Sequence, residues 1–323
     1  MTGNKGAGMD VLRLTLRQLQ VFVAVARSGS TTAASAQIAL SQSATSAAVN
    51  ELERLLSLKL FDRAGKRLLL NDNGRALQPR ALALLDGAAD IERMAWDGDA
   101  QAQSLRIGAS TTIGNYLLPQ LLATHLQARG ANAAPTWQSR VVIGNTAEIC
   151  AAVAAFELDV GLIEGPCHEP TLDVTAWLRD DMVVVAATDS EVARLAGEAP
   201  DHRIPLRTLR EQVWLLREPG SGTREATDQS LLTHLRSYRR SIELGSSEAI
   251  KHAAAAGLGV ACLSAWVVAD LVAAGRLVRL ATTLPAMTRQ CHLVVHRQKH
   301  PTAALRDFLA LATAEAGEGM AAR

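Results

Sequence analysis

Four short stretches rich in serine, threonine and glycine have the residue types that bind small anions. Hydroxyl groups and free backbone N–H groups hold oxyanions and carboxylates without requiring a basic side chain. The stretches are residues 108–112, 144–146, 217–224 and 245–248. Each follows an apolar run and precedes a helical pattern, so each predicts a strand that leads into a helix. The alternative is that each hydroxyl only caps its own helix.

The stretch at residues 217–224, REPGSGTR, is the most specific of the four. A helix cap needs one hydroxyl, whereas this stretch supplies Ser221 and Thr223 beside two glycines that permit close backbone approach. Together the four stretches predict a site for a small anion, either an inorganic oxyanion or a carboxylate.

The nucleophilic and titratable residues show no catalytic arrangement. Ser221 lies in Gly-Ser-Gly, which lacks the G-x-S-x-G spacing of a nucleophile elbow. Residues 64–67, AGKR, lack the upstream glycine and the Ser/Thr of a phosphate-binding loop. The scattered histidines and cysteines have no metal-ligand spacing, and such cysteines are typical of reduced thiols in a cytosolic protein. We therefore predict no enzymatic activity, no metal and no cofactor.

A second set of polar residues has the chemistry to read DNA bases. They follow Ser41, which is placed to cap a helix over the next fifteen residues. A projection at 100° per residue puts Gln42, Ser43, Ser46, Asn50 and Glu53 outward and Ala44, Leu52 and Leu55 inward. Glutamine and asparagine amides pair with adenine edges, and serine pairs with several bases. The alternative is an ordinary surface helix with a polar face.

Two preceding segments would position this helix. Residues 14–27 form an amphipathic helical pattern that ends at Gly29. Residues 31–37 are rich in small side chains, and residues 38–40 form a short break before Ser41. Two helices joined by such a turn predict a helix-turn-helix, whose second helix enters the major groove.

Residues 58–70 predict a strand-turn-strand hairpin with a basic tip. The turn falls at Ala64-Gly65, and Arg63, Lys66 and Arg67 surround it. Beside a helix-turn-helix, a basic hairpin is a wing that meets phosphate or the minor groove. The alternative is a solvated charged turn. The predicted DNA contacts are Thr31, Gln42, Ser43, Ser46, Asn50, Arg54, Arg63, Lys66 and Arg67.

Residues 74–96 repeat apolar side chains at alternating steps of four and three. The repeat comprises Leu77, Ala81, Leu84, Ala88, Ile91 and Ala95. This 3.5-residue period predicts a seam that pairs with a second helix, so the helix would join two copies of the chain. The alternative is a core helix that packs on its own domain.

Charge is distributed unevenly along the 323 residues, although the net charge is only +1. Residues 13–80 carry ten basic and four acidic side chains, which leaves the rest of the chain net negative. This distribution favours a phosphate-binding module attached to an acidic remainder. No long uncharged apolar run or signal core is present, so we predict a cytoplasmic protein without a membrane span.

The order of these elements resembles the LysR-type transcriptional regulators. The most specific part is S-Q-x-A-x-S-x-x-V-x-x-L-E at residues 41–53, with L-F-x-R at residues 60–63. The chain departs from the family pattern at two positions. Ser43 stands where the family usually has proline, and Thr45 stands where it usually has an aliphatic residue. The basic residues often found mid-helix in the family are also absent. The departures leave the target site open and would shift DNA-binding energy towards the wing.

Residues 104–316 alternate strand and helix patterns, which predicts mostly parallel sheets with helices on both faces. The resemblance implies two lobes of periplasmic-binding-protein type, with the chain crossing near residue 180 and returning near residue 290. The predicted fold class is α+α/β. Its domains are a winged helix-turn-helix at 11–73, a dimerisation helix at 74–98 and an effector-binding domain at 104–316. Lobe I covers 104–180 and 290–316, and lobe II covers 181–289.

The resemblance also implies which partners the chain binds. It implies double-stranded promoter DNA, a homodimer through the long helix, a homotetramer and a small effector between the lobes. Similarity to family branches tied to sulfur or carbon assimilation favours sulfite, sulfate or a metabolic carboxylate. The predicted effector contacts are Ser110, Thr111, Thr112, Asn145, Thr146, Ser221, Thr223 and Ser247. The competing interpretation is a solute-binding or enzymatic α/β protein with an incidental helical N-terminus.

Overall fold

The computed structural model describes residues 13–65, 67–96, 105–129, 139–198 and 203–318 of the chain. The chain divides into two compact units, residues 1–96 and residues 97–323. Each unit has hydrophobic core clusters of its own, so each is described by itself.

The first unit combines helices with a two-stranded hairpin. Its elements are α1 (Leu16–Ser28), α2 (Thr31–Gln37), α3 (Gln42–Leu56), β1 (Phe61–Ala64), β2 (Arg67–Leu70) and α4 (Asp72–Trp96). Thr15, Ser30 and Ser41 cap the first three helices, each accepting a hydrogen bond from a first-turn backbone N–H. These elements confirm the predicted winged helix-turn-helix.

The break between α2 and α3 falls where the sequence predicts it. Ile38 ends α2, and Ala39 takes the left-handed conformation with a φ of 52°. Ala34 of α2 and Leu52 of α3 are fully buried in one core cluster with Phe22 of α1. Burial against α1 therefore fixes both helices of the motif.

The hairpin pairs β1 with β2 in antiparallel register, with Arg63 opposite Leu68. Gly65 occupies the turn with a φ of 62°, a conformation that glycine adopts without steric cost. Leu68 N donates to Gly29 O at 2.9 Å, which ties the hairpin to the end of α1. The predicted Lys66 contact lies outside the described residues.

Helix α4 serves two purposes along its length. Ala81 is buried and Leu77 packs beside it in the core of the first unit. Leu84 and Ile91 are 55% and 69% exposed. The core-helix interpretation therefore applies to the first part of the apolar seam, whereas Leu84 and Ile91 further along it are exposed in the single chain.

The second unit alternates strands and helices. Its elements are β3 (Arg106–Ser110), α5 (Thr111–Tyr116), α6 (Leu118–Arg129), β4 (Arg140–Gly144), α7 (Thr146–Ala154), β5 (Val160–Glu164), β6 (Leu172–Ala187), α8 (Glu191–Glu198), α9 (Leu206–Glu211), β7 (Val213–Leu216), α10 (Gly222–Leu235), β8 (Arg240–Glu243), α11 (Ser247–Ala255), β9 (Val260–Ser264), α12 (Ala265–Ala273), β10 (Leu277–Arg279), β11 (Met287–His296) and α13 (Ala303–Glu318). The predicted α/β alternation is confirmed.

A single mixed sheet runs through the second unit in the order β4-β3-β5-β11-β6-β9-β7-β8, with β10 on β6. The outer strands pair in parallel, as in β3 with β4 and β5 and in β7 with β8 and β9. The central strands β6 and β11 pair antiparallel with all their neighbours. The expectation of mostly parallel sheets is therefore wrong for the centre.

The two central strands are longer than their apolar runs. The runs 182–187 and 291–296 predict only part of β6 and β11, because charged residues interrupt the pattern just before each run. Strands β6 and β11 pair from Met182 opposite Met287 to Leu172 opposite His296. One β-bulge breaks this register between Gln290 and His292.

Four hydrophobic clusters of the second unit fall into two groups. Two clusters draw their buried residues from 105–178 and 291–312, and two draw theirs from 182–284. Strands β6 and β11 contribute to both groups. We therefore propose to keep the names lobe I and lobe II with the boundaries that the sequence predicts.

Candidate nucleic-acid interface and interlobe site

The first unit presents a concave surface between α2, α3 and the hairpin. The concavity has a volume of about 560 Å³. Six of the predicted DNA contacts line it, namely Thr31, Gln42, Ser46, Asn50, Arg63 and Arg67. Polar side chains of α3 form one wall and basic side chains of the hairpin form the other. This arrangement suits a DNA groove and its flanking phosphates.

Helix α2 orients the first polar residue of α3. Gln42 Nε2 donates to Thr31 Oγ1 at 3.1 Å, so the amide plane is held across the helix-turn-helix. Ser43 instead lies 3.0 Å from the capping Ser41, oxygen to oxygen, and does not line the concavity. The structure therefore groups Gln42 with Ser46 and Asn50 and places Ser43 apart from them.

The predicted faces of α3 are partly wrong. Glu53 is buried rather than outward, and it accepts from Leu60 N at 2.9 Å and from Lys59 Nζ at 2.7 Å. Ala44 is exposed, whereas Thr45 is fully buried and donates to Ser41 O at 3.0 Å. A projection that counts only apolar residues cannot recognise polar side chains that satisfy their hydrogen bonds inside the domain.

The basic residues of the first unit differ in availability. Arg63 and Arg67 are exposed, and neither forms an ion pair with a described residue. Arg54 pairs with Glu51 at 2.7 Å on the helix surface, and it does not line the concavity. The hairpin arginines are therefore better placed than Arg54 to bind DNA phosphates.

The predicted anion-binding residues converge in the second unit where the two lobes meet. Six of the eight are buried, namely Ser110, Thr112, Thr146, Ser221, Thr223 and Ser247. They stand at the starts of α5, α7, α10 and α11, which belong to both lobes. Buried charged side chains that the sequence does not predict connect them.

Arg289 on β11 lies at the centre of a buried network between the lobes. Its Nε donates to Asp180 Oδ2 at 2.8 Å, and its Nη2 lies 2.7 Å from the same oxygen. The guanidinium also donates to Thr223 Oγ1 at 2.8 Å and to Thr112 Oγ1 at 3.2 Å. Burial raises the pKa of Asp180 above its usual range, although Arg289 favours the ionised carboxylate.

The side chain of Glu164, the last residue of β5, places its carboxylate at the N-terminus of α5. The Ser110 hydroxyl donates to the Glu164 carboxylate, and Thr112 N donates to its Oε1 at 3.4 Å. Glu164 is 1% exposed, and its Oε1 lies 3.8 Å from Arg289 Nη1. A carboxylate of the chain itself is thus bound where two predicted anion contacts meet.

Arg217 at the end of β7 bridges the remaining predicted residues. Its Nε and Nη2 each donate to a Glu218 carboxylate oxygen at 2.7 Å. Its Nη1 donates to Ser247 Oγ at 2.9 Å, and its Nη2 reaches Thr111 Oγ1 in lobe I at 3.3 Å. Both hydroxyls accept in these contacts; Thr111 Oγ1 in turn donates to Gly144 O at 3.2 Å, whereas the Ser247 proton is left for a ligand oxygen.

Backbone groups cross between the lobes beside this cluster. Gly222 N donates to Thr146 Oγ1 at 3.1 Å, and Ala147 N donates to Gly220 O at 3.0 Å. A Cβ on Gly222 would overlap the carbonyl oxygen of Glu164. The glycine is therefore needed for the approach of α10 to the end of β5.

Asn145 and Ser221 fit the capping alternative. Asn145 Oδ1 accepts from Glu148 N at 2.9 Å, and the Glu148 side chain accepts in return from Asn145 N. Ser221 caps α10 by accepting from Arg224 N. Ser110 makes no such bond to its helix, so its hydroxyl has a different partner.

Tyr116, at the end of α5, joins lobe I to lobe II. Its hydroxyl donates to Glu248 and accepts from Lys251 Nζ at 3.1 Å. Lys251 is also 3.0 Å from Asp270. Burial, followed by the bond to Glu248, raises the pKa of Tyr116 to about 12. One short helix thus carries predicted ligand contacts at its start and an interlobe contact at its end.

Sequence reasoning missed Glu164, Asp180 and Arg289 and did not select Arg217 as a contact. Each is a charged residue at the end of an apolar strand pattern or within a strand. A buried charge requires a partner, so such interruptions signal an interior ionic network. This signal is present in the sequence but does not say which charges pair.

No helix of the described residues has the length and apolar character to span a membrane.

Two family descriptions match most of the chain. Residues 98–317 match the “LysR substrate binding domain”, and residues 16–75 match the “Bacterial regulatory helix-turn-helix protein, lysR family”. A relative in Escherichia coli K12, “Uncharacterized HTH-type transcriptional regulator YeiE”, is 47% identical over 298 residues. The alignment covers 92% of this chain and 97% of that protein.

Solved structures show the same architecture. The CcmR regulatory domain of Synechocystis in complex with 2-PG has a TM-score of 0.57 and 27% identity, covering 67% of this chain and 98% of that one. Full-length CbnR, complexed with its target DNA, has a TM-score of 0.54 and 20% identity, covering 94% of this chain and 100% of that one. At 20% identity the second likeness supports the fold alone.

Proposed function

Because the chain belongs to the LysR family of transcriptional regulators, a family of DNA-binding regulators and not of enzymes, we propose that a small anion between its lobes modulates promoter binding. The observation that carries this proposal is the convergence of hydroxyls from both lobes on two buried arginines. A ligand held by both lobes would favour one lobe arrangement, which shifts the population of the DNA-binding form.

The proposed DNA surface is the concavity between α3 and the hairpin. Gln42, Ser46 and Asn50 supply base contacts from α3, while Arg63 and Arg67 supply phosphate contacts. Thr31 supports this surface by holding Gln42. Ser43, Arg54 and Lys66 remain proposed contacts of the same region.

We expect Ser46→Ala and Arg63→Ala to weaken DNA binding in different ways. Loss of the Ser46 hydroxyl should reduce discrimination between promoter and unrelated DNA, because it removes a base contact. Loss of Arg63 should weaken binding to both and lower the salt dependence by about 0.9 for each phosphate that is no longer neutralised. Fluorescence anisotropy across a salt series measures both effects.

The matched control is Arg279→Ala, which removes an exposed arginine from the second unit. It should leave both the discrimination and the salt slope unchanged. If Arg63→Ala gave the same slope as this control, the hairpin would not be the phosphate-binding wing.

The proposed effector is a sulfur oxyanion or a metabolic carboxylate. The CcmR regulatory domain, which is similar to the second unit, was solved with the small ligand 2-PG. In this chain the candidate contacts are the predicted hydroxyl residues, and Thr223 and Thr112 accept from the two terminal nitrogens of Arg289. Thermal-shift measurements against sulfite, sulfate and small carboxylates test the class, since a specific ligand raises the melting temperature.

Thr223→Val should lower the affinity for such an anion by roughly three- to tenfold, the value of one hydrogen bond. DNA binding without the anion should persist, because Thr223 lies in the second unit. Thr233→Val is the control, since it removes an exposed hydroxyl from the same helix. Equal anion affinities for the two variants would remove Thr223 from the proposed site.

We also propose that two copies of the chain pair through α4. Leu84 and Ile91 are exposed one heptad apart, which is the spacing of a helix–helix seam. A homodimer would then present two recognition helices to DNA, and a homotetramer is the larger assembly that the resemblance implies. Analytical ultracentrifugation at several concentrations tests the assembly.

A further inference from the structure

Arg217 is a buried cation whose only carboxylate partner within the described residues is the next residue in the chain. Its side chain is 2% exposed, and Glu218 accepts from two of its nitrogens at 2.7 Å. The rest of the guanidinium faces hydroxyls, Ser247 Oγ from lobe II and Thr111 Oγ1 from lobe I. A buried guanidinium needs a counter-ion, and here the counter-ion is a neighbouring side chain.

The Glu218 carboxylate has the geometry of a bound ligand. Two parallel N–H···O bonds to one guanidinium are the arrangement that carboxylates and oxyanions adopt with arginine. Burial disfavours the Glu218 charge, but the bonds from Arg217, with smaller contributions from a backbone N–H and from Asn145 of lobe I, hold the pKa of Glu218 below its usual range. The carboxylate is therefore charged at neutral pH and fills the anion position.

Glu218 differs from the other internal carboxylate in its access to solvent. Its side chain is 24% exposed and lies in the loop between β7 and α10. Glu164 has a side chain that is 2% exposed and bonds to Ser110 and Thr112. Glu218 already reaches solvent, so its release breaks the bonds to Arg217 and Asn145 without opening the core, whereas release of Glu164 would require the core to separate.

We infer that Glu218 is an exchangeable internal ligand of Arg217, which the anionic effector displaces when it binds between the lobes. This inference rests on the proposed function and names its regulation. The class of effector it implies is an anion with two oxygens on one atom, because those oxygens must replace both bonds that Glu218 makes. Ser247 would then donate its hydroxyl proton to the incoming anion, while Thr111 keeps its bond to Gly144 O.

Competition from the Glu218 carboxylate lowers the apparent affinity of the chain for the anion, because the anion can bind only those molecules in which Glu218 has released Arg217. Glu218→Gln keeps the size of the side chain but removes its charge. A neutral amide forms weaker bonds to a guanidinium than a carboxylate does. We therefore expect Glu218→Gln to bind the anion roughly tenfold to a hundredfold more tightly than the unmodified chain.

The experiment titrates the full-length chain and its variants with sodium sulfite, sodium sulfate and sodium malate at constant ionic strength, by calorimetry. Glu218→Ala is the second variant, and it should bind at least as tightly as Glu218→Gln. Glu211→Gln is the control, because it removes the same charge from an exposed residue of lobe II that pairs with Arg239. The control should bind as the unmodified chain does.

The outcomes separate the inference from the proposed function. Tighter binding in both Glu218 variants, with no change in the control, supports the displacement. An anion that binds the unmodified chain but binds both Glu218 variants equally or more weakly overturns the displacement and leaves the anionic effector in place. No binding of any anion to any of these proteins overturns both.

Discussion

Replacing Arg289 by methionine is expected to destabilise the second unit by about 3–5 kcal/mol, the usual result of breaking a buried ion pair from one side. The substitution leaves Asp180, which is 1% exposed, without its guanidinium partner and leaves Thr112 and Thr223 without a donor. Urea denaturation followed by circular dichroism measures the free energy of unfolding.

The effect of Arg289→Met should depend on pH. Asp180 already has a raised pKa, and removal of Arg289 raises it further because the ionised form loses its partner. A folded-state pKa above the unfolded value means that the folded chain binds the extra proton, so stability falls as pH rises through this window. The deficit should therefore be largest at neutral pH and should shrink on acidification through the raised folded-state pKa of Asp180.

Arg297→Met is the matched control for this prediction. Arg297 pairs with Asp173 at 3.2 Å, but the two side chains are 61% and 70% exposed. An exposed pair contributes about 0–1 kcal/mol, so this variant should unfold almost as the unmodified chain does. If Arg289→Met were equally mild at neutral pH, the network would not be a buried ionic centre.

Replacing Gly222 by alanine is expected to destabilise the second unit by about 1–3 kcal/mol. The added Cβ would overlap Glu164 O and would lie 2.7 Å from Thr146 Oγ1. Both neighbours are in lobe I, and the nearer one is a backbone atom that cannot rotate away. The strain can be relieved only by moving α10 from the end of β5, so the anion affinity should fall as well.

Gly245→Ala provides the comparison for Gly222→Ala. Apart from its two chain neighbours, no described residue has an atom within 4 Å of a Cβ built on Gly245, although this glycine also precedes a helix at the interlobe site. Denaturation of the two variants in parallel separates steric strain from the general effect of a glycine substitution. Equal stabilities would show that the lobes do not meet at Gly222 in solution.

The first unit can be predicted closely from sequence because its signals are local. Ser30 and Ser41 cap α2 and α3, and Gly65 takes the positive φ of the hairpin turn. Each of these residues acts on neighbours a few positions away. Short-range rules therefore place the helix-turn-helix and the hairpin within a few residues of their observed bounds.

The faces of α3 are harder to predict, since burial there depends on contacts outside the helix. Glu53 is buried because it accepts from Leu60 N, seven residues further along the chain. A periodicity based on apolar side chains counts such an acid as outward. The same limitation affects Thr45, whose hydroxyl bonds to the preceding turn.

The sequence predicts the hydroxyl residues of the interlobe site but not its charged residues. Hydroxyls at strand–helix junctions are visible in the sequence, but Arg289 meets Asp180 across 109 positions of the chain. Nothing local to either residue identifies the partner. The antiparallel centre of the sheet is missed for a related reason, since charged residues interrupt the apolar runs of β6 and β11.

The β-bulge between Gln290 and His292 gives the second unit a mechanical property. The two lobes share one continuous sheet. A change in the angle between the lobes therefore requires the paired central strands β6 and β11 to bend. A bulge is the point at which a strand bends and twists most readily. Arg289 lies one residue before it. A small displacement of Arg289 by a ligand would therefore act close to the bending point. The resulting displacement would be largest at the outermost strands β4 and β8.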